Sequence, residues 1–219
     1  MIIGSNFVWI HVPKTAGSSF EQMMEKRHGL PVYGEQHDTA RDIPAEHRGK
    51  TIIGFMRDPL NAEVSNWRYH NFSWENNGTF TFERWCQWRY EEDERWGYFM
   101  GLNQKDVVYG HKFNVRQQAG YLCNEEGHSI ADHIFRFDEL ESSLAKVQEI
   151  TGLDCDLSEF FGMSYGWGRG KEDYSKHVTP KAEAILRKAK PLDFRLWETE
   201  GKIPTDFFCE TVPHYAYSR

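Results

Sequence analysis

Two short stretches of the chain hold residues whose types and spacing can do chemistry. The first, residues 11–19, reads His11-Val12-Pro13-Lys14-Thr15-Ala16-Gly17-Ser18-Ser19. It follows an apolar, β-branched and aromatic run over 6–12 and precedes a helical pattern over 19–27, with Phe20, Met23 and Met24 on one face. A turn from strand into helix presents unpaired backbone N–H groups and the positive end of the helix dipole. Lys14 adds a cation that can reach a phosphate or sulfonate oxygen. Thr15, Ser18 and Ser19 add hydroxyl donors, and Gly17 lets the backbone approach an anion closely. The order differs from the nucleoside-triphosphate loop, GxxxxGK followed by Ser or Thr, because here the lysine precedes the glycine. On physical grounds the stretch reads either as an anion site or as an ordinary capped helix behind a basic turn.

The second stretch begins where a buried strand over 51–56 meets Arg57-Asp58-Pro59. Pro59 suits the first turn of a helix, which should run to about Tyr69 and carries Ser65 two turns in. An arginine fork and a hydroxyl that converge make a site for a terminal phosphate. The alternative is an Arg57 paired with a carboxylate and a Ser65 exposed on its helix. Between the two stretches lies Gly34-Glu35-Gln36-His37-Asp38, which supplies a titratable imidazole and a carboxylate.

The elements that must position these residues alternate. After the helix from Pro59 come a turn at Asn76-Asn77-Gly78, a helical pattern over 81–89 and a possible helix over 112–123. A short strand over 134–137 and a helix over 140–151 ended by Gly152 follow. A glycine-rich loop spans 162–171. Thr179 then caps a helix with Pro180 at its first position, running to about Lys190, and a further helical turn lies over 194–197. The pattern predicts one α/β domain over residues 1–219, three layers deep, around a central, largely parallel sheet. An irregular α+β domain is the weaker alternative.

Composition narrows the function classes. The chain has 219 residues, 39% of them hydrophobic and 15% aromatic, with eight Trp, which is the composition of a folded domain. Aromatics in polar surroundings, such as Trp67 and the Trp85/Trp88 pair, read as core with amphipathic rims or as a wall beside an acceptor pocket. A net charge of −7 gives no bulk attraction for nucleic acid or acidic membrane. The cysteines at 86, 123, 155 and 209 make no CxxC pair and read as reduced thiols; no metal-ligand spacing is present. No secretory leader and no membrane span is expected, which places a full-length chain in the cytoplasm.

Residues 11–19 resemble the 5'-phosphosulfate-binding signature of the sulfotransferases, in the form PKTxGxS, closest to the branch of the membrane-type carbohydrate enzymes. Residues 56–69 resemble the same family's 3'-phosphate signature: strand, RDP, then Ser, then an aromatic. The resemblance implies the P-loop-like sulfotransferase fold and the donor 3'-phosphoadenosine-5'-phosphosulfate (PAPS), which leaves as 3'-phosphoadenosine-5'-phosphate (PAP). It places donor contacts on Lys14, Thr15, Ala16, Gly17, Ser18, Ser19, Arg57 and Ser65. Arg169 and Lys171 take the position of the cofactor-covering loop, with Trp167 near the adenine. His37 loosely matches the family's acceptor-side histidine base, and Glu35 is the competing carboxylate base. His11, Arg68, Asn114, Arg116 and Gln117 fall toward the acceptor; residues 114–122 match the family's NxQT-type segment imperfectly. His11 also suits packing at the strand end. The chain departs from the family where an arginine often follows RDP. Here that stretch is Leu60-Asn61-Ala62-Glu63, and Arg68 is either a compensating cation or a surface residue.

The resemblance implies in-line sulfonate transfer to a hydroxyl or amine of a small-molecule or carbohydrate acceptor, with Lys14 at the leaving phosphate and His37 or Glu35 as base. A nucleotide-dependent small-molecule kinase and a non-catalytic anion-binding protein on the same fold are the alternatives.

Overall fold

The computed structural model describes residues 1–73, 80–92, 117–124, 128–160 and 173–199. Four strands form one open sheet in the order β1 (Ile2–Ile3), β2 (Phe7–Ile10), β3 (Thr51–Met56), β4 (His133–Arg136). β1 runs antiparallel to β2, and β2, β3 and β4 are mutually parallel. The register sets Ile10 against Gly54 and Gly54 against Ile134. The carboxyl ends of the three parallel strands therefore reach one edge of the sheet together. That edge receives the loop after β2, Arg57 after β3 and Phe137 after β4. In open α/β sheets this is the edge where ligands bind.

Both faces of the sheet are covered, as the unbroken apolar runs of β2 and β3 require. On one face Trp9, Ile53 and Phe55 pack under α1 (Gly17–His28) and α5 (Leu140–Thr151), which contribute Phe20, Met23, Met24, Leu144 and Val147. Trp9 is fully buried and stacks on Phe20 with ring centroids 4.6 Å apart. On the other face Val8, Ile10, Ile52 and Met56 meet α4 (Ala119–Leu122) and α7 (Pro191–Glu198), through Leu122, Leu192 and Leu196. A Cβ on Gly54 would lie 2.3 Å from a Leu122 methyl, so only glycine lets α4 sit this close to β3.

A third apolar cluster joins α2 (Pro59–Ser73), α3 (Phe82–Gln87) and α6 (Pro180–Ala189). Trp67 and Trp85 are buried in it, so these aromatics are core and do not form a wall beside a pocket. A buried charge network lies within this cluster. Glu63 on α2 meets Lys190 Nζ at 2.6 Å, Arg89 Nε at 3.5 Å and the Trp85 indole N–H at 2.9 Å. The same network accounts for an acid at position 63.

Several expected boundaries match the observed ones, including β3 over 51–56 and α5 closing on Gly152, whose φ is 72°. α1 starts earlier than expected, at Gly17, and α2 extends to Ser73. β1 was not anticipated, and beyond α3 the chain continues over Trp88–Glu92 in wider, π-type turns. The helix expected over 112–123 is described only from Gln117 onward, where α4 is a single turn. The turn at Asn76-Asn77-Gly78 and the glycine-rich loop 162–171 lie outside the described residues. Cys86, Cys123 and Cys155 are buried free thiols; Cys209 lies outside the described residues. Among the described residues no helix is long and apolar enough to cross a membrane.

Candidate anion-binding site

The loop that leaves β2 is bent into an unusual shape before α1 begins. Lys14 and Ala16 both adopt left-handed backbone angles, with φ of 69° and 63°. Such angles cost an L-residue about 1–3 kcal/mol and persist where the surroundings enforce them. Thr15 helps enforce them: it is buried, and its hydroxyl donates to the carbonyl of Val12 at 2.7 Å. The Thr15 hydroxyl is thus spent on the turn, not on a ligand. Ala16 forms the helix N-cap without any side-chain cap, which leaves the first N–H groups of α1 facing the sheet edge. Ser18 is exposed and Ser19 half-buried in that first turn.

Arg57 follows β3 directly and is held at both ends of its peptide unit. Its N–H donates to Gln118 Oε1 at 3.0 Å, and its carbonyl accepts from Gln118 Nε2 at 2.9 Å. The guanidinium lies between the rings of Phe137 and Tyr174, 4.9 Å and 4.7 Å from their centroids. Only 6% of the residue is exposed, yet among the described residues its Nε has no hydrogen-bond partner and its Nη1 reaches only the Lys14 carbonyl, at 3.4 Å. No carboxylate among the described residues forms an ion pair with it. The adjacent Asp58 turns away and caps α2, accepting from the Asn61 N–H at 2.8 Å. Among the described residues Arg57 is therefore not half of a salt bridge, the carboxylate-paired alternative.

Lys14 completes the cationic centre. Its Nζ lies 4.2 Å over the ring of Tyr69 on α2. Burial pulls its pKa down and the nearby Arg57 guanidinium pulls it further, to about 8. Ser65 stands one helical turn before Tyr69, on the same face of α2, and is half-buried. Lys14, Arg57 and the Ser65/Tyr69 face thus converge on the sheet edge at the start of α1.

The imidazoles occupy the other flank. His11 is 3% exposed and its Nδ1 is 2.7 Å from Glu21 Oε1. Its ring fills the space beside Gly17: a Cβ there would lie 1.9 Å from Nε2. His11 therefore sits behind the loop and shapes it, which removes it from the acceptor side. His37 is solvent-exposed, packs edge-on against the His11 ring with centroids 4.6 Å apart, and places Nδ1 3.4 Å from the His11 carbonyl. Packing of the ring lowers the His37 pKa, and the neighbouring His11 lowers it further, to about 4. The lowered pKa leaves His37 neutral near pH 7.

Glu35 lies in the same exposed loop, its N–H held by Asp38 Oδ2 at 2.8 Å. Arg68 is half-buried on α2, close enough to His177 to lower the pKa of that imidazole, whose own burial is the larger cause. Gln117 is buried and accepts from the Leu192 N–H at 3.2 Å, so its side chain supports α7 and not an acceptor. Asn114, Arg116, Trp167, Arg169 and Lys171 lie outside the described residues. Among the described residues no group of three His, Cys, Asp or Glu could hold a metal ion.

Sequence reasoning missed Gln118, Phe137, Tyr69 and Tyr174 as parts of this site, and Glu21 as the residue that holds His11 behind it. Tyr69 was within reach, since the i, i+4 spacing from Ser65 puts both on one helical face. Gln118 lies within the 114–122 stretch, next to the Gln117 that was singled out, whereas Tyr174 comes from a remote segment and carries no local signal.

Comparison of the chain with protein-family models, with characterised proteins and with solved structures gave no match.

Proposed function

We propose that this chain is a sulfotransferase of the P-loop-like α/β type that uses PAPS as donor. The observation that carries the proposal is Arg57: a buried guanidinium, without a carboxylate partner among the described residues, beside Lys14 and an uncapped helix start. A buried cation left unpaired is costly, so a site built this way is completed by an anion. PAPS presents two, a 3'-phosphate and a 5'-phosphosulfate, matching two cationic positions held on different strands.

When bound, the donor supplies an electrophilic sulfur; the acceptor oxygen or nitrogen forms the new bond to it as the S–O bond to the leaving phosphate breaks. Lys14 and the first N–H groups of α1 stabilise the charge that develops on that phosphate. Arg57, with Ser65, anchors the remote phosphate and so aligns the donor. His37, neutral at physiological pH, takes the acceptor proton on its outward ring nitrogen, with Glu35 the competing base. The acceptor is a hydroxyl or amine of a small molecule or carbohydrate.

Calorimetric binding of PAP to the wild type and to Arg57→Ala, with ATP as competitor, tests this. Loss of a charge-assisted contact of about 1.5–3 kcal/mol predicts a Kd weakened at least about tenfold in Arg57→Ala. Absence of PAP binding to the wild type, or preference for ATP with magnesium, would overturn the proposal in favour of a kinase.

A further inference from the structure

We infer that Glu21, acting through His11, is a positioning residue that fixes which ring nitrogen of His37 is free to accept a proton. The inference rests on the reading of His37 as base and adds to it a residue that touches neither donor nor acceptor.

The geometry runs outward from α1. Glu21 is 6% exposed, an uncommon place for a carboxylate, and both of its oxygens are engaged. Oε1 accepts from His11 Nδ1 at 2.7 Å, and Oε2 accepts from Gln36 Nε2 at 2.9 Å. The first bond places a proton on His11 Nδ1 and fixes the rotation of that ring. The fixed ring does two things. It fills the space beside Gly17, so the start of α1 is seated against it. It also packs against the His37 ring in a T-shaped contact, with centroids 4.6 Å apart. The second bond ties Gln36, the residue before His37, to the same carboxylate. His37 is thus located from two sides by one side chain.

The backbone completes the arrangement. His37 Nδ1 faces the His11 carbonyl at 3.4 Å, and a carbonyl can only accept. With Nδ1 as the donor in this contact, Nε2 is the basic nitrogen. The hydrogen bond made by one ring nitrogen decides the state of the other. Tyr121 also stands in a T-shaped arrangement to this ring, at 6.4 Å between centroids. The charged and titratable groups facing His37 are His11 behind it, Glu21 on α1 and the amino group of Met1. Of these, only Glu21 holds both His11 and the neighbouring Gln36.

Long-range proton–nitrogen NMR of the imidazoles, together with PAP calorimetry, tests the inference in the wild type, Glu21→Gln and Gln36→Ala. The wild type is expected to show His37 in one tautomer, protonated on Nδ1. Glu21→Gln is expected to give averaged His37 nitrogen shifts, while the Kd for PAP changes by less than about threefold because Lys14 and Arg57 are untouched. Gln36→Ala removes one of the two ties without burying or exposing a charge, and is expected to average the His37 shifts to a lesser degree. A His37 that keeps one tautomer in Gln36→Ala and in folded Glu21→Gln, or that is already averaged in the wild type, overturns the inference. The NMR result needs no donor. Failure of PAP to bind the wild type would therefore count against the sulfotransferase reading and leave the tautomer result intact.

Discussion

Arg57 turns its guanidinium toward the backbone of Lys14, Nη1 standing 3.4 Å from the lysine carbonyl, so that two cations from different strands share one end of the sheet. Neither forms an ion pair with a carboxylate among the described residues. Each is instead set against aromatic rings, Arg57 between Phe137 and Tyr174 and Lys14 over Tyr69. Cation–π contacts of this kind contribute about 0.5–2 kcal/mol and leave the charge available. The hydroxyl of Thr15, an obvious candidate for an anion, is spent on holding the loop in shape. The arrangement supplies positive charge from side chains and directionality from backbone N–H groups.

The depressed pKa of Lys14 gives a pH signature to anion binding. Its folded value of about 8 lies below the ordinary 10.5. The unfolded chain therefore holds more protons between these values, and the depression destabilises the free fold below pH 8. That penalty fades as pH rises toward 10.5. A bound dianion favours the charged amine and raises its pKa again. PAP affinity should thus hold steady from pH 7 to about 8 and then fall by up to about tenfold per pH unit, with proton uptake on binding. Calorimetry in buffers of different ionisation enthalpy measures both. Lys14→Arg, charged throughout, should flatten the profile. A flat wild-type profile to pH 9.5 would exclude Lys14 from the site.

Much of the skeleton of this site was legible in the sequence because its signals are local. The apolar run over 51–56, the proline after Asp58 and the glycine at 152 each act within a few residues, and β3, α2 and α5 follow them. The two-residue β1 was illegible, since its only reason to exist is the edge of β2. The role of Gln117 was misread, and that of His11 was left divided between the acceptor side and packing at the strand end, for a related reason. Both are polar residues near the right loops, but their partners, Glu21 and the Leu192 N–H, are set by tertiary packing. Arg57 could be read as an anion ligand or as half of a salt bridge, and only the surroundings brought by Phe137, Gln118 and Tyr174 speak against the salt bridge among the described residues.

Adjacent positions in the loop should respond to opposite substitutions. Ala16 sits at φ 63°, where glycine has no steric penalty, so Ala16→Gly should stabilise the fold by about 1 kcal/mol, or roughly 2–4 °C in Tm. Gly17 is the reverse case: the methyl of Gly17→Ala would lie 1.9 Å from His11 Nε2. Displacing that packed ring should cost about 1–3 kcal/mol. Thermal unfolding of the two variants gives the comparison. If both substitutions shift Tm in the same direction, the described loop conformation is wrong.

The helix that carries Ser65 and Tyr69 is held in place by charge as well as by apolar packing. Glu63 lies on it, 1% exposed, against Lys190 from the α6–α7 junction and Arg89 from beyond α3. Burial alone would raise the Glu63 pKa; the two cations outweigh it and hold the carboxyl well below the ordinary carboxylate range. Removing the acid leaves two buried cations facing each other. Glu63→Ala should therefore cost about 3–5 kcal/mol, the scale for breaking a buried pair. Lys190→Met should cost less, because Glu63 keeps Arg89 and the Trp85 N–H at 2.9 Å. Urea unfolding of both single variants and the double variant gives the coupling energy. Equal losses in the two single variants would contradict the asymmetry, and additive losses in the double would show that Glu63 and Lys190 do not act as a pair. If the network orients α2, the folded fraction of Lys190→Met should also bind PAP more weakly than the wild type, although Lys190 itself lies outside the anion site.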